Sequence, residues 1–236
     1  MPRIISILLT LLLLVVFHSA HAAARLALVI GNSSYSDKPL KNPANDAADL
    51  ARALKEAGFD VMLKQNLSAD EMKEALADFG EKLGRDRGVG LFYFSGHGVQ
   101  TKRGQNYLLP VNRSFKSERD VELFAVEARQ VLNEMSGAGN PLNIVILDAC
   151  RDSPLPSESK SAGSKGLARM EAPSGSIIAF ATAPGQTASD NQNERNGLYA
   201  KHLLKAINTP GLRLEDHHPL LLGRHGQPRI RQLWHG

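Results

Sequence analysis

The segment Asn143-Ile144-Val145-Ile146-Leu147-Asp148-Ala149-Cys150-Arg151-Asp152 constrains this chain more than any other. An unbroken run of apolar β-formers, Ile144 to Leu147, stands between Asn-Pro-Leu-Asn and a charged segment. Such a run suits a strand buried on both faces, at the centre of a parallel sheet. The strand ends in Cys150, the only cysteine of the 236 residues. At the carboxyl end of a strand in an open α/β sheet, a side chain emerges into the crevice where ligands bind. A thiol there, flanked by Asp148 and Arg151, is a candidate nucleophile. On this strand alone, a buried cysteine acting as a small apolar group is an equal alternative.

A second strand tilts the balance. Val89-Gly90-Leu91-Phe92-Tyr93-Phe94 is also unbroken and apolar, and Ser95-Gly96-His97-Gly98 follows it. The glycines around His97 permit a sharp turn and a close approach by another group. If the two strands are neighbours, His97 and Cys150 emerge at one sheet edge. A Cys–His pair is the minimum for covalent catalysis, because imidazole promotes the thiolate and later protonates the leaving group. The competing reading of His97 is a loop histidine satisfied by backbone.

The rest of the chain alternates strands with helices. Residues 1–22 read as a secretory signal: Arg3, an apolar stretch from Ile4 to Phe17, then Ala20-His21-Ala22 as a cleavage site. That stretch is short for a membrane span, so export is expected, to a secreted or periplasmic location. Strands are expected at Arg25–Ile30, Phe59–Leu63, Val89–Phe94, Ile144–Leu147 and Ile177–Ala181. A helix is expected after Asn42-Pro43, read as cap and first helical residue, with Ala47, Leu50, Ala51 and Leu54 on one face and Gly58 as its stop. Ser68-Ala69-Asp70-Glu71 is a capping box opening a second helix with Met72, Leu76, Phe79 and Leu83. A third helix is expected within Val121–Met135, from about Glu127, and a last one at Gly197–Ile207. Residues 99–119 read as loop apart from Tyr107-Leu108-Leu109-Pro110. This order predicts an α/β fold with a mostly parallel sheet and right-handed crossovers.

The net charge of +4 is spread along the chain, with a single tryptophan. A basic stripe and aromatic stacking platforms are both lacking, so no nucleic-acid partner is expected. One cysteine excludes an intramolecular disulfide. The histidines offer no paired zinc-ligand spacing.

Ser-Gly-His-Gly at 95–98 with Asp-Ala-Cys-Arg at 148–151 resembles the caspase–metacaspase family of cysteine peptidases. Further segments match in order: Leu28 to Tyr35, Leu40 to Ala47, Asn106 to Val111 and Gly175 to Ala183. Each is weak alone; together, over about residues 25 to 214, they are specific, and bacterial metacaspase-like proteins are the nearest pattern. The resemblance implies a three-layer sandwich with a mostly parallel central sheet flanked by helices, and a peptidase domain at 23–216. It implies Cys150 as nucleophile, His97 as acid and base, and backbone N–H groups of Gly98 and Cys150 as the oxyanion hole. Asp46 and Asp148 then line a pocket for a basic residue before the cut. Buried carboxylates suit such a pocket, because an unpaired buried cation is costly. By the two-residue strand period, Asp148 lies on the same side as the thiol. The alternative for Asp46 is a helix-start carboxylate favoured by the dipole. The expected partners are protein or peptide substrates, with oligomeric state left open.

Many relatives need calcium, but the acidic segment that binds it is not recognisable after Cys150, so no metal or cofactor is expected. Residues 152–174 shift to Ser, Pro, Gly and Lys and read as an exposed loop, with Lys160, Lys165 and Arg169 as candidate processing sites. The segment 217–236, with Pro219, Gly223 and Gly226, departs from the family pattern and reads as an atypical tail, such as a frameshift or truncation gives. Three functions fit: a secreted Cys–His endopeptidase cleaving after Arg or Lys, a catalytically silent binding or scaffold module on the same fold, and a cysteine hydrolase or transferase of another substrate class.

Overall fold

The computed structural model describes residues 24–150, 155, 167–181 and 193–209. The leader at 1–22, the tail at 217–236, Lys160 and Lys165 lie outside the described residues. In chain order the elements are β1 (Arg25–Gly31), α1 (Pro43–Glu56), β2 (Asp60–Gln65), α2 (Ala69–Asp86), β3 (Val89–Gln100), β4 (Asn106–Leu108), α3 (Glu118–Phe124), β5 (Val126–Glu127), α4 (Ala128–Gly137), β6 (Leu142–Cys150), β7 (Ser176–Phe180) and α5 (Leu198–Ile207).

Five strands pair in parallel in the order β2-β1-β3-β6-β7. Side chains alternate across this sheet as the pleat requires. Phe92 and Phe94 pack with Met72, Leu76, Phe79 and Leu83 of α2 and with Val131, Leu132 and Met135 of α4. Leu91 and Tyr93 pack on the other face with Leu50 and Leu54 of α1, and Tyr199 and Leu203 of α5 close that side. Two helical layers around one sheet make the expected three-layer α/β sandwich, and β3 is wholly buried until its last residue.

Local sequence explains the helix ends. Ser68 accepts the Glu71 N–H while the Glu71 carboxylate takes the Ser68 N–H, closing the capping box of α2. Asn42 precedes Pro43 as expected but does not cap with its side chain. Its Nδ2 donates instead to the Glu194 carbonyl, and Ser33 Oγ takes the Ala44 N–H.

Three expectations need correction. β3 does not end at Phe94 but runs through His97 to Gln100, because β4 pairs with its far end antiparallel, Gly98 facing Leu108 and Gln100 facing Asn106. The stretch 99–119 is not mere loop. Val99, Tyr107, Leu109 and Phe115 build a satellite core with Tyr35, Val121 and Leu155. The helix expected from about Glu127 is α4, N-capped at that residue, but it is not the only one in this stretch. Ser117 and Asp120 form a capping box that opens α3, and β5 intervenes before α4.

The stretch 152–174 also holds more than its composition suggests. Leu155 and Leu167 are both buried. Asn106, itself buried, clasps Ala168 at two points: Nδ2 donates to the Ala168 carbonyl at 2.7 Å and Oδ1 accepts the Ala168 N–H at 2.6 Å. A peptidase binds its substrate extended and accessible on both sides of the cut, so this clasp disfavours Arg169 as a processing site.

Candidate active site

β3 and β6 are adjacent and parallel, and their register pairs Ser95 with Asp148, Gly96 with Ala149 and His97 with Cys150. His97 and Cys150 are therefore backbone neighbours across one ladder rung, about 4.8 Å apart at neighbouring-strand spacing. Both lie at the carboxyl edge of the parallel sheet, where α/β folds open their crevice.

The His97 ring is fully buried. Its Nε2 lies 2.7 Å from the Lys38 carbonyl oxygen. A carbonyl can only accept, so Nε2 carries the proton, and in the neutral ring the lone pair resides on Nδ1. A backbone carbonyl orients this ring, which no side-chain pattern could reveal.

Gly98 is placed where a side chain would not fit. An ideal Cβ there would stand 2.8 Å from the Ala149 Cβ and 3.0 Å from Leu167 Cδ2. The Leu109 N–H donates to the His97 carbonyl at 3.0 Å. The next pair, Gly98 and Leu108, is thus a non-hydrogen-bonded one in the alternating antiparallel pattern, so the Gly98 N–H points away from β4 and toward the β6 side.

Two buried carboxylates act on Tyr93 below this edge. Asp148 is buried, and its Oδ2 accepts the Tyr93 hydroxyl at 2.9 Å. Burial pushes the Tyr93 phenol well up, and the charges of Asp148 and Asp46 push it further. Tyr199 is raised by burial and by Asp148 in the same way. Asp46, also buried, sits in the first turn of α1. Its Oδ1 accepts the Asn196 side chain at 3.1 Å and the Gly197 N–H at 3.0 Å.

Asp46 thereby belongs to a clamp the sequence did not disclose. The segment 194–197, just before α5, is bound to α1 by a row of polar contacts. Arg195 grips Asp49 with Nε at 2.8 Å and Nη2 at 3.2 Å, and Asn196 also donates to Asp49. Asn42 and Asn45 take the carbonyls of Glu194 and Arg195. The Arg195 hydrogen bond chiefly holds the Asp49 carboxyl below its usual range against the opposing effect of burial. One acid of the cluster is thus neutralised by an arginine of this chain. The only signal for the clamp was the polar run Glu194-Arg195-Asn196-Gly197 before a helix, which reads equally as loop.

Among the described residues, no cluster of three or more His, Cys, Asp or Glu side chains could hold a metal ion. No described helix is long and apolar enough to cross a membrane.

Comparison with known proteins agrees with this geometry. Residues 24–221 match the family model described as Caspase domain. The chain is 29% identical over 193 residues to human mucosa-associated lymphoid tissue lymphoma translocation protein 1, covering 77% of this chain and 21% of that protein. Its mouse homolog is 30% identical over the same shares. Zebrafish (Danio rerio) caspase a is 40% identical over 60 residues, 25% of this chain and 16% of the relative. The chain thus spans about a fifth of the length of the curated relatives it matches. A family match running from the first strand past the last described helix, over a sheet that brings His97 and Cys150 to one rung, has one meaning: the chain belongs to the caspase-domain peptidase family.

Proposed function

We propose that this chain is a cysteine endopeptidase that cleaves after arginine or lysine through Cys150 and His97. The observation that carries the reading is the His97–Cys150 rung at the carboxyl edge of the sheet, with the imidazole held through Nε2 so that Nδ1 is the basic nitrogen. His97 takes the Cys150 proton, and the thiolate attacks the scissile carbonyl carbon. The oxyanion is met by the N–H groups of Gly98 and Cys150. As the C–N bond breaks, His97 gives its proton to the leaving amine and a thioester remains. His97 then takes a proton from water, the hydroxide attacks the thioester, and acid product and Cys150 are released.

The preference for basic residues rests on charge. Asp46 and Asp148 are both buried and both raise the Tyr93 phenol through their charge, while Arg195 grips Asp49. A substrate guanidinium or ammonium entering beside such carboxylates meets the opposite charge that its own burial requires. The substrates are proteins or peptides. The leader at 1–22 would direct the mature chain out of the cytoplasm, which N-terminal sequencing of exported protein checks.

Hydrolysis of an Arg-ended fluorogenic peptide tests the reading, beside Asp-ended and Ala-ended peptides and Cys150→Ala. Turnover of the Arg-ended peptide alone, abolished in Cys150→Ala, is expected. A folded protein that cleaves none of the three, or cleaves them equally, overturns the activity or the specificity respectively.

A further inference from the structure

We propose that Tyr35 is a positioning residue for His97, its hydroxyl replacing one hydrogen bond of the sheet at the rung where β1 ends and β4 begins. The inference rests on His97 acting as the base, as set out above.

The geometry follows from the strand lengths. β1 ends its pairing at Gly31 opposite Ser95, and the Asn32 N–H makes the last bond to the Ser95 carbonyl. β4 takes over the same edge of β3 at Gly98. His97 stands at the junction. Its carbonyl accepts the Leu109 N–H directly, so His97 and Leu109 are a hydrogen-bonded antiparallel pair that should exchange two bonds. The second is not direct. The His97 N–H donates to the Tyr35 hydroxyl at 2.9 Å, and that hydroxyl donates to the Leu109 carbonyl at 3.1 Å. The phenol completes the rung with one acceptor and one donor function, which a hydroxyl supplies and a methyl or a ring edge does not.

The same side chain also touches the imidazole: the two ring centroids are 4.4 Å apart at 56°. Gly96 leaves the room for this, since an ideal Cβ there would come within 2.6 Å of the Tyr35 hydroxyl. The loop after β1 delivers both Tyr35 and the Lys38 carbonyl that takes Nε2. That loop is itself pinned, because Asn66 Oδ1 accepts the Ser33 and Ser34 N–H groups. Backbone and ring of His97 are therefore located by one loop, from two sides. A base must be held within a fraction of an ångström of its proton donor, and loss of such support lowers the rate by about tenfold to a hundredfold without touching substrate.

The single cysteine of the chain makes the test direct. The rate of iodoacetamide alkylation against pH reports thiolate formed at Cys150, and a paired imidazole extends reactivity below the ordinary thiol range. This profile is compared in wild type, His97→Ala, Tyr35→Phe, Tyr35→Leu and Asn32→Ala, on protein shown to be folded by circular dichroism at low temperature. Asn32 also donates to the Leu109 carbonyl, at 3.1 Å, and lies on the same loop, but bonds nothing in His97, so it reports general loosening. The expected result is a profile for Tyr35→Phe between wild type and His97→Ala, further displaced in Tyr35→Leu, with Asn32→Ala at wild type. Peptide turnover by Tyr35→Phe should show a kcat lowered about tenfold to a hundredfold with KM unchanged. A wild-type profile in Tyr35→Phe while His97→Ala is displaced overturns the role of Tyr35 and leaves the Cys–His pair standing. Equal displacement in Tyr35→Phe and Asn32→Ala overturns it as well, as mere loosening. A His97→Ala profile identical to wild type overturns the pair itself and this inference with it.

Discussion

Asp46 carries two roles that one pair of substitutions separates. Its carboxylate oxygen accepts from Asn196 and from the Gly197 N–H, tethering the start of α5 to α1, and its charge raises the Tyr93 phenol. Asp46→Asn keeps an oxygen in place for both donors and removes the charge; Asp46→Ala removes both. The charge effects are common to the two variants and oppose each other. Losing a carboxylate from the first turn of α1 forfeits about 0.3–1 kcal/mol of helix-dipole interaction. Relieving repulsion among neighbouring carboxylates returns energy on the order of 1 kcal/mol at a partly screened separation. Asp46→Asn should therefore unfold near the wild-type temperature. Asp46→Ala additionally loses the two hydrogen bonds that the Asn oxygen keeps, about 1 kcal/mol each once the charge is gone, so about 2 kcal/mol. For a domain of this size that lowers Tm by about 4–8 °C relative to Asp46→Asn. Thermal unfolding by circular dichroism reads both. Equal melting of the two variants would refute the tether. In the same samples, Asp46→Asn should lose hydrolysis of Arg-ended peptide while staying folded; unaltered hydrolysis would leave Asp46 a tether only.

Asp148→Asn should retain the fold, since an amide oxygen still accepts the Tyr93 hydroxyl, yet lower kcat/KM for Arg-ended peptides by about 2 kcal/mol or more, roughly thirtyfold; peptide kinetics decide it. Arg195→Ala should cost no more than about 1 kcal/mol near neutral pH, because the guanidinium is largely exposed and screened although Asp49 is buried. Its effect should appear in acid. The Asp49 carboxyl is held below its ordinary 3.8, chiefly by Arg195. Its stabilisation is present above that value and lost as pH falls through the lower folded-state value. Removing Arg195 should therefore move acid unfolding to higher pH, read by circular dichroism. Tyr93, Tyr107 and Tyr199 are all raised above the ordinary 10.0, burial being the largest cause in each. Their contribution is intact below 10.0 and lost as pH rises through the higher folded-state values. Spectrophotometric titration should thus find these three tyrosines ionising late, together with alkaline unfolding. Three phenols titrating near 10.0 in folded protein would contradict it.

The sequence made the parallel sheet legible because its central strands are unbroken apolar runs, and β3 and β6 need no partner's identity to be recognised as buried. The capping box at Ser68 was legible for the same reason: it is local. What escaped was long-range or small. The continuation of β3 past Phe94 depends on β4, a three-residue strand whose pairing no periodicity announces. The second capping box, Ser117 with Asp120, carries Asp at the third position where the usual box has Glu or Gln. Asn42 was readable as a helix cap, but a distant acceptor at Glu194 claims its side chain. Among the site residues, positions on strands could be placed by register, whereas the Lys38 carbonyl, the Tyr35 hydroxyl and the Arg195–Asp49 grip come from loops folded back across the sheet. Leu155 and Leu167 were lost in a polar stretch, because two isolated leucines carry no period.

The length of β3 ties these features together. It has 12 residues, against 7 in β1, and its parallel pairing with β6 ends at the His97–Cys150 rung. A strand that outruns its partners exposes backbone groups on both edges, and buried backbone groups must find partners. On the β1 side, β4 and the Tyr35 hydroxyl supply them, which fixes His97 at the point of handover. On the β6 side, the parallel register brings Cys150 to the same rung. The short hairpin therefore takes up the β1 side of β3 past Gly31 and leaves the other side to the strand that carries Cys150. A strand of uniform sequence could not choose. Tyr35 and Gly96 bias the choice, the first by filling the rung on one side and the second by leaving room for it.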